Sequence, residues 1–177
     1  MSVKLLGFAA IVEAEDNKAF ADLIRSELEA ARALLGANMV ALSGANTLTE
    51  LTFLRTCVEL RVPAIVFLTS DGTNPVEPDP ETSKLRKTLL SVTLATYLIP
   101  QPFLPILEWA DALLSASSND EDEILADAIA LGIPMRKLHA CSFKADWTHL
   151  PQPVSPAKHG FPTRRELLEF LDKRFGR

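Results

Sequence analysis

The segment with the most chemistry available to it is Ser43-Gly44-Ala45-Asn46-Thr47-Leu48-Thr49-Glu50. It follows an apolar strand-like run and opens an amphipathic helix, so it falls where open α/β sheets hold their ligands. A carboxylate at Glu50 can hydrogen-bond a ribose or serve as acid or base. The same residues also spell a capping box, in which Glu50 only returns a bond to the Thr47 backbone amide. Whether the carboxylate points back at the cap or into the crevice separates the two readings. Ser43 and Gly44 can seat a phosphate on the free amides of the helix end. Equally, Gly44 can simply make the tight strand-to-helix turn.

The other loops expected at this sheet edge are acidic. The first strand runs into Val12-Glu13-Ala14-Glu15-Asp16-Asn17, and the fourth into Ser117-Ser118-Asn119-Asp120-Glu121-Asp122-Glu123. A long loop adds Asp71, Glu77, Asp79 and Glu81, with Lys18 the one cation near the first and fourth loops. Each cluster suits a helix amino end through the macrodipole. Together their fields sum on one side of the sheet, repelling a phosphate and steering in a cation or a basic partner. Glu13, Ser118 and Asn119 join Ser43, Gly44, Asn46 and Thr47 as the candidate ligand-binding set, with Glu50 as the candidate catalytic residue.

No metal or cofactor is expected. His139, His149 and His159 recur every ten residues, which matches neither helix nor strand, and no Cys or His pair has close ligand spacing. Thr56-Cys57-Val58 reads as helix core, and Trp109 and Trp147 as core anchors. With only Cys57 and Cys141 and no export signal, a reduced cytoplasmic setting is expected.

Five apolar runs without alternation look like buried parallel strands: Lys4–Val12, Met39–Ser43, Ala64–Thr69, Asp111–Ala116 and Met135–Ala140. Helical patterns separate them. Asn17–Leu35 carries Phe20, Leu23, Ile24, Leu28, Ala31, Leu34 and Leu35 on one face, with Asp16 as N-cap and Gly36 as stop. Leu48–Leu60 turns Leu51, Leu54, Cys57 and Val58 inward, and Glu121–Leu131 does so with Ile124, Leu125, Ala128 and Ile129. Such alternation predicts an α/β, doubly wound, Rossmann-like domain with about five parallel strands. By analogy the preferred order is 3-2-1-4-5.

The third crossover is long and is read as a helical insertion over about 70–110. Turn-forming residues 70–80 precede a helix Glu81–Leu98 and a shorter one, Phe103–Trp109. The longer helix shows Leu85, Leu89, Val92 and Thr96 on one stripe, wider than one sheet face needs. Either the Phe103–Trp109 helix covers the excess, or the helix 81–98 makes a homodimer contact, which is the assembly predicted. Residues 1–140 then form the Rossmann-like domain. Residues 141–177 form a proline-rich connector and a packed final helix, opened by Thr163-Arg164-Arg165-Glu166 as a capping box.

The chain has 177 residues, 47% of them hydrophobic and 23% charged, enough for one globular domain with a proper core. A net charge of −5 argues against nucleic acid and anionic membranes as partners. No apolar run reaches the roughly 18–20 residues that span a bilayer.

Lys4–Ala140 resembles the SLOG group of Rossmann-like domains, which includes the LOG (lysine-decarboxylase-like) phosphoribohydrolases and nucleotide-sensing modules. Met39-Val40-Ala41-Leu42-Ser43-Gly44-Ala45 looks like that group's second strand and turn. Thr47-Leu48-Thr49-Glu50-Leu51 resembles the G-T-x-x-E piece of the LOG enzymes. Leu60-Arg61-Val62-Pro63 and Leu131-Gly132-Ile133-Pro134 look like its helix, G-x-P, strand joins. The chain departs from the group in its first loop (Glu13-Ala14-Glu15), in keeping only Gly44 of the paired glycines, and in having Ser118-Asn119-Asp120 for a later G-G-T turn. The resemblance with its departures implies a non-catalytic module that binds a small nucleotide-related ligand or a protein partner. The alternative it implies is an N-glycosidic hydrolase or transferase acting through Glu50.

Overall fold

A computed structural model of the chain describes residues 3–10, 18–70, 75, 78–100, 103–117, 123–139, 144–147 and 164–175. Its frame is one sheet of seven strands in the order β4-β3-β2-β1-β5-β6-β7. The strands are β1 (Lys4–Ala10), β2 (Met39–Gly44), β3 (Ala64–Thr69), β4 (Ala95–Ile99), β5 (Ala112–Ser117), β6 (Met135–His139) and β7 (Lys144–Trp147). The first six run parallel, and β7 pairs antiparallel with β6 at one edge.

Helices cover both faces, as expected for a doubly wound sheet. Against one face lie α1 (Lys18–Leu35), α2 (Leu48–Glu59) and α3 (Pro80–Leu90), through Phe20, Ile24, Leu28, Leu51, Leu54 and Leu89. Against the other lie α4 (Phe103–Trp109), α5 (Glu123–Ala130) and α6 (Arg164–Phe175), through Ile106, Trp109, Ala128, Leu167 and Leu171. Central strands are mostly apolar because both faces are buried. Among the described residues no helix is long and apolar enough to cross a membrane.

The five predicted strands all form, and their neighbours follow the preferred order, with β5 and β6 as the fourth and fifth. Two strands went unpredicted. The β7 residues fall in the expected connector, and β4 overlaps the end of the expected helix Glu81–Leu98. That helix ends at Leu90, and the insertion is helix, strand and short helix rather than helices alone. Asp79 caps α3 by accepting from the amides of Glu81 and Thr82 at 3.1 Å, and Pro80 opens it. Beyond Leu90 the β-branched and aromatic residues Val92, Thr93, Thr96, Tyr97 and Ile99 favour a pleated surface. Tyr97 packs edge-on against Trp109 and stacks on Phe67, and Thr69 pairs with Ile99 in register. Leucines spaced at helical intervals had masked this alternation.

The stripe Leu85–Thr96 is therefore not one helical surface, and the basis for a homodimer through helix 81–98 falls with it. Leu89 belongs to the domain's own core, whereas Val92 lies 60% exposed in the turn after α3. Three other residues predicted to face inward do not: Leu34, Val58 and Ile129 are exposed.

Two helix endings show how the chain turns back into the sheet. After α2, Arg61 donates to the Val58 carbonyl at 3.1 Å and Val62 to that of Cys57 at 2.8 Å. After α5, Gly132 donates to Ile129 at 3.1 Å and Ile133 to Ala128 at 3.0 Å. Both are Schellman endings with a left-handed residue, Arg61 at φ 55° and Gly132 at φ 74°. Pro63 and Pro134 then stop the helices, and their carbonyls accept from Ala41 and Leu113 on the neighbouring strands.

Candidate functional site

The strand order reverses direction at β1, between β2 on one side and β5 on the other, and this is the topological switch point. Of the crevice loops, the one after β2 is described. Glu13, Ser118 and Asn119 lie outside the described residues, as do Asp71, Glu77, Cys141, His149 and His159.

The β2–α2 turn is closed by its own side chains. Thr47 is the N-cap of α2, and its hydroxyl accepts from the Glu50 amide at 3.2 Å. In return one Glu50 carboxyl oxygen, Oε2, accepts from the Asn46 amide at 2.7 Å and the Thr47 amide at 3.1 Å. In an ordinary capping box the acidic side chain accepts only from the N-cap amide; here it accepts from the preceding amide too. Glu50 is 1% exposed, and burial raises its carboxyl above the ordinary value of 4.5 despite these two bonds, which pull the other way. The carboxylate thus points back at the cap. Its other oxygen, Oε1, lies against Gly44, where no Cβ could fit.

Asn46 is engaged as fully. Its side-chain carbonyl accepts from the Thr69 amide at 2.9 Å, and its Nδ2 donates to the Phe67 carbonyl at 3.5 Å. The turn is thereby fastened to the end of β3. Phe53 of α2 stacks on Phe8 of β1, ring centroids 4.1 Å apart and planes within 2°. These contacts fix the helix against the central strand.

Two buried hydroxyls have no hydrogen-bond partner among the described residues: Ser43 Oγ and Ser115 Oγ. Ser43 lies beside Phe8 and Ser115 beside Ala9, so they flank the carboxyl half of β1 from its two neighbours. Strand alternation directs them to opposite faces of the sheet. An orphaned buried hydroxyl costs about 1–3 kcal/mol, so both are unusual at a sheet centre. The structure places Ser43, Gly44, Asn46, Thr47 and Glu50 at one strand end.

Sequence reasoning missed other buried polar groups. Arg136 of β6 makes a two-pronged bond to Glu27 of α1, itself 6% exposed. Asp111 accepts from the Leu5 amide at 2.8 Å and from Arg164, whose Nε also donates to the Trp109 carbonyl at 3.1 Å, tying α6 to the start of β5. Arg86 and Lys137 are also buried. No local signal marked them, since their burial depends on which helix meets which strand. A cavity of about 330 Å³, mostly apolar, lies between α1 and the amino ends of β5 and β6, lined by Leu6, Ala31, Ala112, Pro134 and Arg136 among others. It is at the opposite end of the sheet from the switch point.

The buried thiol of Cys57 is driven far above its ordinary value by desolvation, which leaves it inert as a nucleophile. Among the described residues no group of three or more His, Cys, Asp or Glu side chains is placed to hold a metal ion. No family model, curated protein or solved structure matches the chain.

Proposed function

We propose that the protein is a non-catalytic Rossmann-like module of SLOG type, which binds a small nucleotide-related ligand or a protein partner at the crevice beside β1. The observation that carries this reading is the Glu50 carboxyl group, bonded to the Asn46 and Thr47 amides and almost wholly buried. A general acid or base must reach the reacting atoms, and this group is spent on its own turn. Calorimetric titration of the purified protein with adenosine, AMP and basic peptides tests the binding claim. Saturable binding of one of them without turnover is expected. Steady release of free base from AMP would overturn the non-catalytic reading.

One observation favours the alternative, an N-glycosidic hydrolase or transferase: a carboxyl group with a raised pKa at a switch point is a frequent catalytic arrangement. That reading requires base release from a nucleoside monophosphate, abolished by Glu50→Gln.

A further inference from the structure

We infer that Glu50 fills the place of an anion at the β2–α2 turn, so a phosphate or carboxylate group of the crevice's ligand does not seat on the Asn46 and Thr47 amides. This rests on the binding-module reading and specifies the ligand class of that same site. A helix amino end attracts anions through unbonded amides and the positive end of the helix dipole. In this chain two amides of the turn, those of Asn46 and Thr47, already donate to Glu50 Oε2. Space is closed as well as bonding. The carboxyl group sits against the bare Cα of Gly44, the spot where a glycine would otherwise admit a ligand oxygen. Asn46 cannot swing aside to open the turn without releasing the Thr69 amide and the Phe67 carbonyl of β3. A phosphate or carboxylate group of the ligand therefore finds neither these two donors nor the space beside Gly44.

The test uses inorganic phosphate as probe and follows the backbone amide resonances of Gly44, Asn46 and Thr47 in the full chain. The native protein should show no saturable shift of these amides up to tens of millimolar phosphate. Glu50→Ala should gain one, with a dissociation constant at least about tenfold lower than any value for the native chain, or one logarithmic unit. Phosphate binding to the Asn46 and Thr47 amides of the native protein would overturn the inference, as would a folded Glu50→Ala variant that gains none. If that variant does not fold, hydrogen exchange of the native chain decides. Protection of the Asn46 and Thr47 amides upholds a carboxyl group that stays in place, and free exchange overturns it. Turnover of AMP would count against the binding-module reading, whereas phosphate at these amides without turnover would count against this inference alone.

Discussion

Gly44 and the Glu50 carboxyl group are fitted to each other: a Cβ at position 44 would overlap both carboxyl oxygens. The glycine is not needed for its backbone freedom, since among the described glycines only Gly36 and Gly132 have positive φ. It is needed for space. That distinguishes this turn from a phosphate-binding one, in which the glycine makes room for a ligand.

Gly44→Ala should therefore destabilise the fold by about 1–3 kcal/mol, the range for inserting a methyl group into a packed site. Glu50→Ala alone should cost about 1 kcal/mol through loss of the cap. In the double variant the two costs should not add, with a coupling of about 1–2 kcal/mol measured by urea denaturation. Strict additivity would show that the two groups do not compete for one space.

The Glu50 carboxyl group should also leave a signature in the dependence of stability on pH. Its folded pKa is raised by burial above the ordinary 4.5, so over that interval the folded state holds more protons than the unfolded one. Stability from this group is then fully present below the unfolded pKa and is lost as pH rises through the folded pKa. The Glu50→Gln variant lacks the titration but keeps the shape. The difference in unfolding free energy, native minus variant, should fall as pH rises from 4 through the mildly acidic range and then level off. A difference that stays flat with pH would show that the folded and unfolded carboxyl groups titrate alike.

Much of this architecture was legible because periodicity and end signals agreed. Gly36 terminates α1 with φ 99°, donating to the Arg32 carbonyl at 2.9 Å, and Thr47 with Glu50 announces the start of α2. The β2–α2 turn was legible as a capping box, with Glu50 returning a bond to the Thr47 amide as one of its two readings, but its further bond to the Asn46 amide was not. That bond depends on the absent Cβ at Gly44 and on the pinning of Asn46 by β3, and the second of these is not local. The β4 strand was missed because Leu85, Leu89, Val92 and Thr96 satisfy a helical spacing while Tyr97 and Ile99 find their partners on β3 and α4. Burial of Arg86, Lys137 and Glu27 came only with the tertiary fold.

Arg61 stands in one Schellman ending where Gly132 stands in the other. A left-handed conformation costs a residue with a Cβ about 1–2 kcal/mol, against about 0.5–1 kcal/mol of extra chain entropy lost by a glycine. Arg61 is exposed, so its side chain contributes little packing. Arg61→Gly should raise the unfolding free energy by about 0.5–1 kcal/mol, read as a higher urea midpoint at unchanged slope. A lower midpoint would mean that the arginine side chain holds a contact that outweighs the backbone strain.

The turn after α3 separates core from surface within four residues. Leu89 is 6% exposed and packs in the layer that α2 shares, while Val92 is 60% exposed. Burying an aspartate at position 89 leaves a charge without a partner in an apolar layer, so Leu89→Asp should cost about 3 kcal/mol or more and give an unfolded or molten chain. Val92→Asp should change stability by no more than about 0.5 kcal/mol, because its side chain already faces water. Circular dichroism and light scattering on the two single variants check both outcomes. A folded Leu89→Asp variant of smaller mass than the native protein would restore the intermolecular role that the helix 81–98 stripe had suggested. Loss of folding for Leu89→Asp together with an unchanged mass for Val92→Asp assigns the stripe to the domain's own core and leaves no dimer contact at Val92.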